Sequence, residues 1–191
     1  MNRLFNYLEN HGILLCNLNP YVPSLNDIGC GWKEVTELID QRLMFYSKSF
    51  NGRTTYLSRK AYLLLDIVKV KKPLTIQAEY IYQLLEGNPP EDTRFLKAAS
   101  APMLSKKNYQ EAFNFLLEER YITAIQNGKQ LNKNWSCFLY GTAKQWENLS
   151  KGVSDMRKMI KKENAIEDLW KLVGKDMSEK SFYNFAGICV K

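Results

Sequence analysis

The side chains best suited to nucleophilic, proton-transfer or metal chemistry are scarce in this sequence: one histidine, His11, and four cysteines, Cys16, Cys30, Cys137 and Cys189. No cysteine lies within a few residues of another, so the paired spacing of a zinc knuckle or finger is absent and no metal is expected. His11 directly precedes Gly12, at the expected end of a first helix, where an imidazolium favours the helix C-terminus. That position suits a cap better than a catalytic base. No pair of acidic residues identifies itself as a general acid and base, and no cofactor motif is present.

The chemistry that the sequence does offer is recognition of a polyanion. Lys and Arg number 27 against 20 acidic residues, a formal charge of +7, which favours such a partner. Residues 53–72 hold six of these cations and a single acid, Asp66. Within the helical stretch that follows Ser105, Lys106, Lys107, Gln110 and Asn114 fall on the side opposite Tyr109, Phe113 and Leu117. Gln and Asn side chains can read adenine edges, and Lys can meet guanine or, more often, phosphate. Arg53, Arg59 and Lys60 upstream, and Lys129 with Gln130 and Lys133 downstream, extend the set. A second basic cluster is Lys158, Lys161 and Lys162. The competing reading is a solvated helix face, diluted by Glu111, Glu118 and Glu119, on a protein–protein module.

These residues need elements to hold them. Leu4, Phe5 and Leu8 are spaced for a helix over residues 2–11, stopped by Gly12. Residues 13–16 are a short apolar run, and 17–31 are loop by composition. Trp32, Val35, Leu38, Ile39, Leu43 and Phe45 or Tyr46 predict a helix over 32–46, followed by a turn around Asn51-Gly52. Ser58 caps a helix to about Val70, and Thr75 or Ile76 opens a second that Gly87 stops. A Pro-containing excursion with a short turn at 92–99 leads to Ser105, which caps a third helix carrying Tyr109, Ala112, Phe113, Leu116 and Leu117. The β-branched run Tyr121–Ile125 then precedes Asn127-Gly128, a strong signal for a hairpin turn with positive φ. The returning strand, between Leu131 and Tyr140, carries Trp135, Phe138 and Tyr140, expected in the core against Trp146 rather than stacked on bases. Beyond Trp146 the chain reads as helix again, ending in a last helix or an extended tail over 178–191.

The three helices that begin at Ser58, at Thr75 or Ile76 and at Ser105, followed by a β-hairpin, give the order of a winged helix-turn-helix, in which the third helix enters the major groove. The expected fold class is therefore α+β and mostly α: a winged helix-turn-helix core with a β-hairpin wing and flanking helices. Its expected layout is an N-terminal helical and loop segment over 1–56, the winged-helix domain over 57–147, and a C-terminal helical segment over 148–191. A hydrophobic content of 45% is enough for a packed core and excludes general disorder. No apolar run approaches the ~18 residues a membrane span needs, and the N-terminal residues lack the apolar core of a signal peptide. A cytoplasmic protein with reduced thiols is the expectation.

One stretch resembles a known group. Trp32 to about Glu147 is similar to a group of bacterial winged-helix proteins related to the AlkZ DNA glycosylase. The residues that carry the likeness are Phe45-Tyr46-Ser47-Lys48-Ser49-Phe50, the Gly52 turn, Tyr56-Leu57-Ser58, Tyr121-Ile122-Thr123, and Phe138-Leu139-Tyr140-Gly141-Thr142-Ala143-Lys144-Gln145-Trp146-Glu147. The resemblance implies a winged-helix architecture in an intracellular bacterial protein, without an activity known for this smaller group. The glycosylase itself excises damaged bases with a Gln-x-Gln type motif. This sequence has none, the nearest pair being Gln126 and Gln130. Taken together, the residues lead to double-stranded DNA binding through Lys106, Lys107, Gln110, Asn114, Arg59, Lys60 and Lys129, in repair or regulation. A base-excision enzyme and a protein–protein adaptor are the alternatives.

Overall fold

The computed structural model describes residues 2–132 and 135–188. Its centre is an antiparallel sheet of β1 (Ile13–Leu15), β2 (Met44–Phe50) and β3 (Arg53–Ser58), in the order β1-β3-β2. Successive strand residues point to opposite faces, and here both faces are covered. Leu14, Met44, Tyr46 and Tyr56 project into one apolar cluster. Ile13, Leu15, Phe45 and Leu57 project into another. The sheet is thus the partition between two cores, which is why β2 reads as almost continuously buried.

Helix α1 (Arg3–His11) starts at Asn2, whose side chain accepts from the backbone of Leu4 and Phe5, and stops at Gly12 with φ +74°. The helix predicted over 32–46 is only half formed. Helix α2 spans Trp32–Asp40, Arg42 turns the chain with φ +55°, and Met44 onward is β2. The apolar positions of 43–46 suit a helix stripe and a doubly buried strand alike. The pairing of Met44–Ser47 with Thr55–Ser58 decides for the strand. Asn51 and Gly52, with φ of +51° and +69°, make the tight turn expected there, but it joins two strands. Positive φ at both central residues matches the right-handed strand twist.

Ser58 ends β3 and caps α3 (Arg59–Val68), its hydroxyl accepting from Ala61 N. An extended linker leads to α4 (Ile76–Glu86), capped by Thr75. Two residues, Glu91 and Asp92, form β4. The excursion expected to hold a short turn is a helix instead, α5 (Thr93–Ser100), because Asp92 accepts from the backbone of Arg94 and Phe95. Helix α6 (Lys106–Glu118) begins at Ser105 as predicted. Strands β5 (Ile122–Asn132) and β6 (Trp135–Thr142) follow, and the second antiparallel sheet has the order β4-β6-β5.

The expected hairpin exists, but its turn does not lie at Asn127-Gly128. Both residues are inside β5, neither has a positive φ, and Asn127 pairs with Phe138. Tertiary contact overrides the turn signal. The backbone N–H of Asn127 donates to Asp40 of α2 at 2.6 Å. A Cβ on Gly128 would lie 2.9 Å from Cys137 Sγ and 3.0 Å from a Leu139 methyl. Glycine serves there to let two strands approach closely. Register shifts on either side of Asn127 absorb the irregularity as bulges. The connection at 133–134, with Lys133, lies outside the described residues.

The chain ends in α7 (Ala143–Leu149), α8 (Val153–Met159), α9 (Ala165–Val173) and α10 (Glu179–Ala186), which close the second core over α3. Residues 179–186 are therefore helix and not an extended tail. The boundary expected at 56–57 falls inside β3, so the N-terminal segment and the following residues share one sheet. The chain is α+β and mostly helical, with two small antiparallel sheets.

Candidate nucleic-acid interface

Helix α6 lies against α4 and β2, with lighter contact to α5 and β5. Its inner stripe is Tyr109, Ala112, Phe113, Leu116 and Leu117, all buried, which is the stripe its sequence predicted. Phe113 meets Tyr140 edge to face at 5.0 Å and stacks on Tyr109 at 5.7 Å. The outer face is open: Lys106, Lys107 and Gln110 are exposed and Asn114 is half-buried. Among the described residues, neither α1 nor the helices after Trp146 make extensive contact with α6. Lys107 reaches Glu111 at 3.9 Å on the exposed surface, a contact of small energetic consequence.

One supporting contact to this face comes from a residue that sequence reasoning did not single out. Lys48 of β2 donates from Nζ to Asn114 Oδ1 at 2.9 Å, and Gln110 Nε2 donates to the same oxygen at 3.3 Å. Lys48 has the strand parity of Met44 and Tyr46, which face the same core as α6. The β2–β3 register shifts between Ser47 and Phe50, and Phe50, of the same parity, lies in the other core, so alternation alone does not place Lys48.

Other predicted contacts sit elsewhere. Arg59 donates to the backbone carbonyl of Lys151 at 3.1 Å, which ties it to the C-terminal helices. Lys60 is exposed beside it at the start of α3. No hydrogen bond or ion pair among the described residues joins that pair to α6. Lys129 is exposed on β5, and its carbonyl accepts from Cys137 Sγ at 3.3 Å. Of the basic run over 53–72, two further members are ion-paired internally. Lys71 pairs with Asp66 at 3.0 Å, and Lys72 pairs with Glu119 at 3.3 Å. Burial, with Arg120 close by, pushes the Lys69 ammonium below its ordinary range.

Those residues belong to a charged cluster between α3, the end of α6 and α8. Arg157 bonds to Asp66 at 3.0 Å and Glu147 at 2.7 Å, and Glu147 accepts from Tyr62 Oη at 2.6 Å. Arg120 is fully buried with φ +62° and donates to the Lys69 carbonyl. Burial raises the Asp66 carboxyl, but Lys71 and Arg157 outweigh it and hold it below the usual carboxylate range. A carboxylate so neutralised is a poor general base near neutral pH. The arrangement works as a clamp.

His11 behaves as a tie at the end of α1. Its Nδ1 lies 2.6 Å from Asp176 Oδ2, and Tyr7 donates to that same oxygen at 2.9 Å while stacking on the imidazole. Cys16, Cys30 and Cys137 carry free thiols, and Cys189 lies outside the described residues. No three metal-binding side chains converge among the described residues. Phe138 and Tyr140 are buried as expected, but Phe138 stacks on Trp32 at 4.8 Å, while Trp146 packs on Phe45 and Tyr62. Phe138 and Tyr140 therefore anchor α2 and α6, and the Trp135 side chain lies outside the described residues. No helix is long and apolar enough to cross a membrane among the described residues. No family model, curated protein or solved structure matches this chain.

Proposed function

We propose that the winged helix-turn-helix expected over 57–147 is narrowed to residues 76–142, with α4, α5 and α6 as its three helices in place of α3, α4 and α6, and that this protein binds double-stranded DNA through the outer face of α6. The order α4–β4–α5–α6–β5–β6, with the sheet arranged β4-β6-β5, supports the fold reading. It puts a short strand after the first of three helices and pairs that strand with the returning arm of the hairpin. Helix α6 is then the helix that enters the major groove. The observation that carries the function is the uncovered row of Lys106, Lys107 and Gln110 on that helix. Such a role, in repair or regulation, fits the resemblance to the AlkZ-related group and a cytoplasmic location.

The experiment is duplex binding as a function of salt. Each phosphate contact adds roughly 0.9 to the slope of log affinity against log salt. Reversing charge at Lys106 and Lys107 should weaken binding to all sequences and flatten that slope by about one to two units. Unchanged binding in the double variant would remove α6 as the DNA surface, leaving Lys158, Lys161 and Lys162 as the next candidate. Release of a modified base from alkylated duplex would favour base excision instead.

An adaptor role has one observation of its own. Ile76 and Met103 are 86% and 68% exposed beside Tyr80 and Leu104, an apolar strip on the α4 side of the same unit. Absence of salt-dependent duplex binding by the wild-type protein would favour it.

A further inference from the structure

We propose that Lys48 is a positioning residue that fixes which hydrogen-bonding groups α6 presents to a DNA groove, and thereby biases the protein toward adenine. The inference rests on the DNA-binding reading above. An ammonium can only donate, so the 2.9 Å contact requires Asn114 to turn Oδ1 toward Lys48. Gln110, 3.3 Å from that same oxygen, must then face it with Nε2. An amide oxygen has two lone pairs, and both are now occupied. Among the described residues this leaves without a partner the Asn114 Nδ2 donor, the Gln110 Oε1 acceptor and the second hydrogen of Gln110 Nε2, one helical turn apart on α6.

That arrangement has a chemical complement. Adenine offers an N6 donor next to an N7 acceptor in the major groove, whereas guanine offers two acceptors, N7 and O6. Gln110 Oε1 can accept from N6 while Asn114 Nδ2 donates to N7; against guanine, Oε1 would face O6, acceptor to acceptor. Without Lys48, either amide is free to flip and the polarity of the pair is lost. Lys48 acts through Asn114 and is not itself required to touch a base.

The test measures the affinity of the full chain for two labelled duplexes, one rich in A·T pairs and one of G·C pairs only, across a salt series. A third duplex replaces adenine by deaza-adenine, which lacks N7 and changes only the major-groove edge. The wild-type protein should prefer the A·T duplex by about tenfold and lose most of that preference with deaza-adenine. Lys48→Met should abolish the preference while leaving affinity for the G·C duplex and its salt slope unchanged. Lys48→Arg, which keeps a donor, should retain it. Gln110→Ala should erase it independently, should Lys48→Met fail a thermal-unfolding check. If the wild type binds no duplex, the DNA reading and this inference fall together. If it binds with normal salt dependence but without preference, or is indifferent to deaza-adenine, only the inference is overturned. If Lys48→Met weakens all three duplexes equally and flattens the salt slope, Lys48 is a phosphate contact, and the inference is again overturned.

Discussion

Arg157 of α8 donates to the carboxylate of Asp66, on α3, at 3.0 Å, joining residues 91 positions apart in sequence. The same guanidinium nitrogen reaches Glu147 at 2.7 Å. A single side chain thereby pins the C-terminal helices to the helix that leaves the central sheet. Its Asp66 partner is mostly buried while the arginine is partly exposed, so the bond is screened less than a surface pair and more than a fully buried one.

Replacing Arg157 by Met should strip Glu147 of its ion-pair partner and leave Asp66 with Lys71 alone. The expected loss is about 1 to 3 kcal/mol, below the range for a fully buried pair, read as a lower midpoint in urea. The denaturant slope should stay the same.

The pH dependence of folding follows from the same carboxylate. The Asp66 carboxyl lies below its ordinary value in the folded chain: burial opposes this, and Lys71 and Arg157 overcome it. A group with a depressed folded pKa contributes stability above its unfolded value, about 3.9, and that contribution is lost as pH falls through the folded value. Stability curves for the wild type should therefore fall below about pH 4. Asp66→Asn should be less stable at neutral pH and show a shallower acid fall. An acid limb identical to the wild type would assign the acid loss to other carboxylates.

Two glycines have different reasons to be glycine, and substitution should separate them. Gly12→Ala meets both a φ of +74° and a Leu172 side-chain carbon 2.7 Å from the new Cβ. The combined left-handed and overpacking costs amount to roughly 2 to 4 kcal/mol. Gly128 carries no positive φ, and its new Cβ would press on Cys137 and Leu139. Gly128→Ala should cost about 1 to 3 kcal/mol, and trimming Leu139 to Ala should recover part of it. Were Gly128 a turn residue, trimming Leu139 would recover nothing.

Leu117 is 1% and Phe113 5% exposed beneath the second sheet and β2. Truncating either to Ala should cost roughly 2 to 5 kcal/mol in equilibrium unfolding. Truncating the exposed Lys107 should change stability by less than about 0.5 kcal/mol. That contrast checks which face of α6 is inside.

Signals that act within one helical turn were legible in the sequence. Gly12 ends α1, Ser58 and Ser105 cap their helices, and the stripe of Tyr109, Phe113 and Leu117 left Lys106, Lys107 and Gln110 on the outer side of α6. These depend on local hydrogen bonding and on the helical period, which neighbours in sequence supply. Only the tertiary structure decided whether Met44–Phe50 would be helix or strand, because its partner β3 lies beyond a turn and both faces had to be buried. It also decided that Asn127-Gly128 would stay extended, since Asp40 and Cys137 reach it from distant positions. The same holds for Lys48, whose place beside Asn114 exists only once β2 and α6 pack. Lys71 and Lys72 look like free cations in the sequence, and they find Asp66 and Glu119 only when α3, its linker and α6 meet.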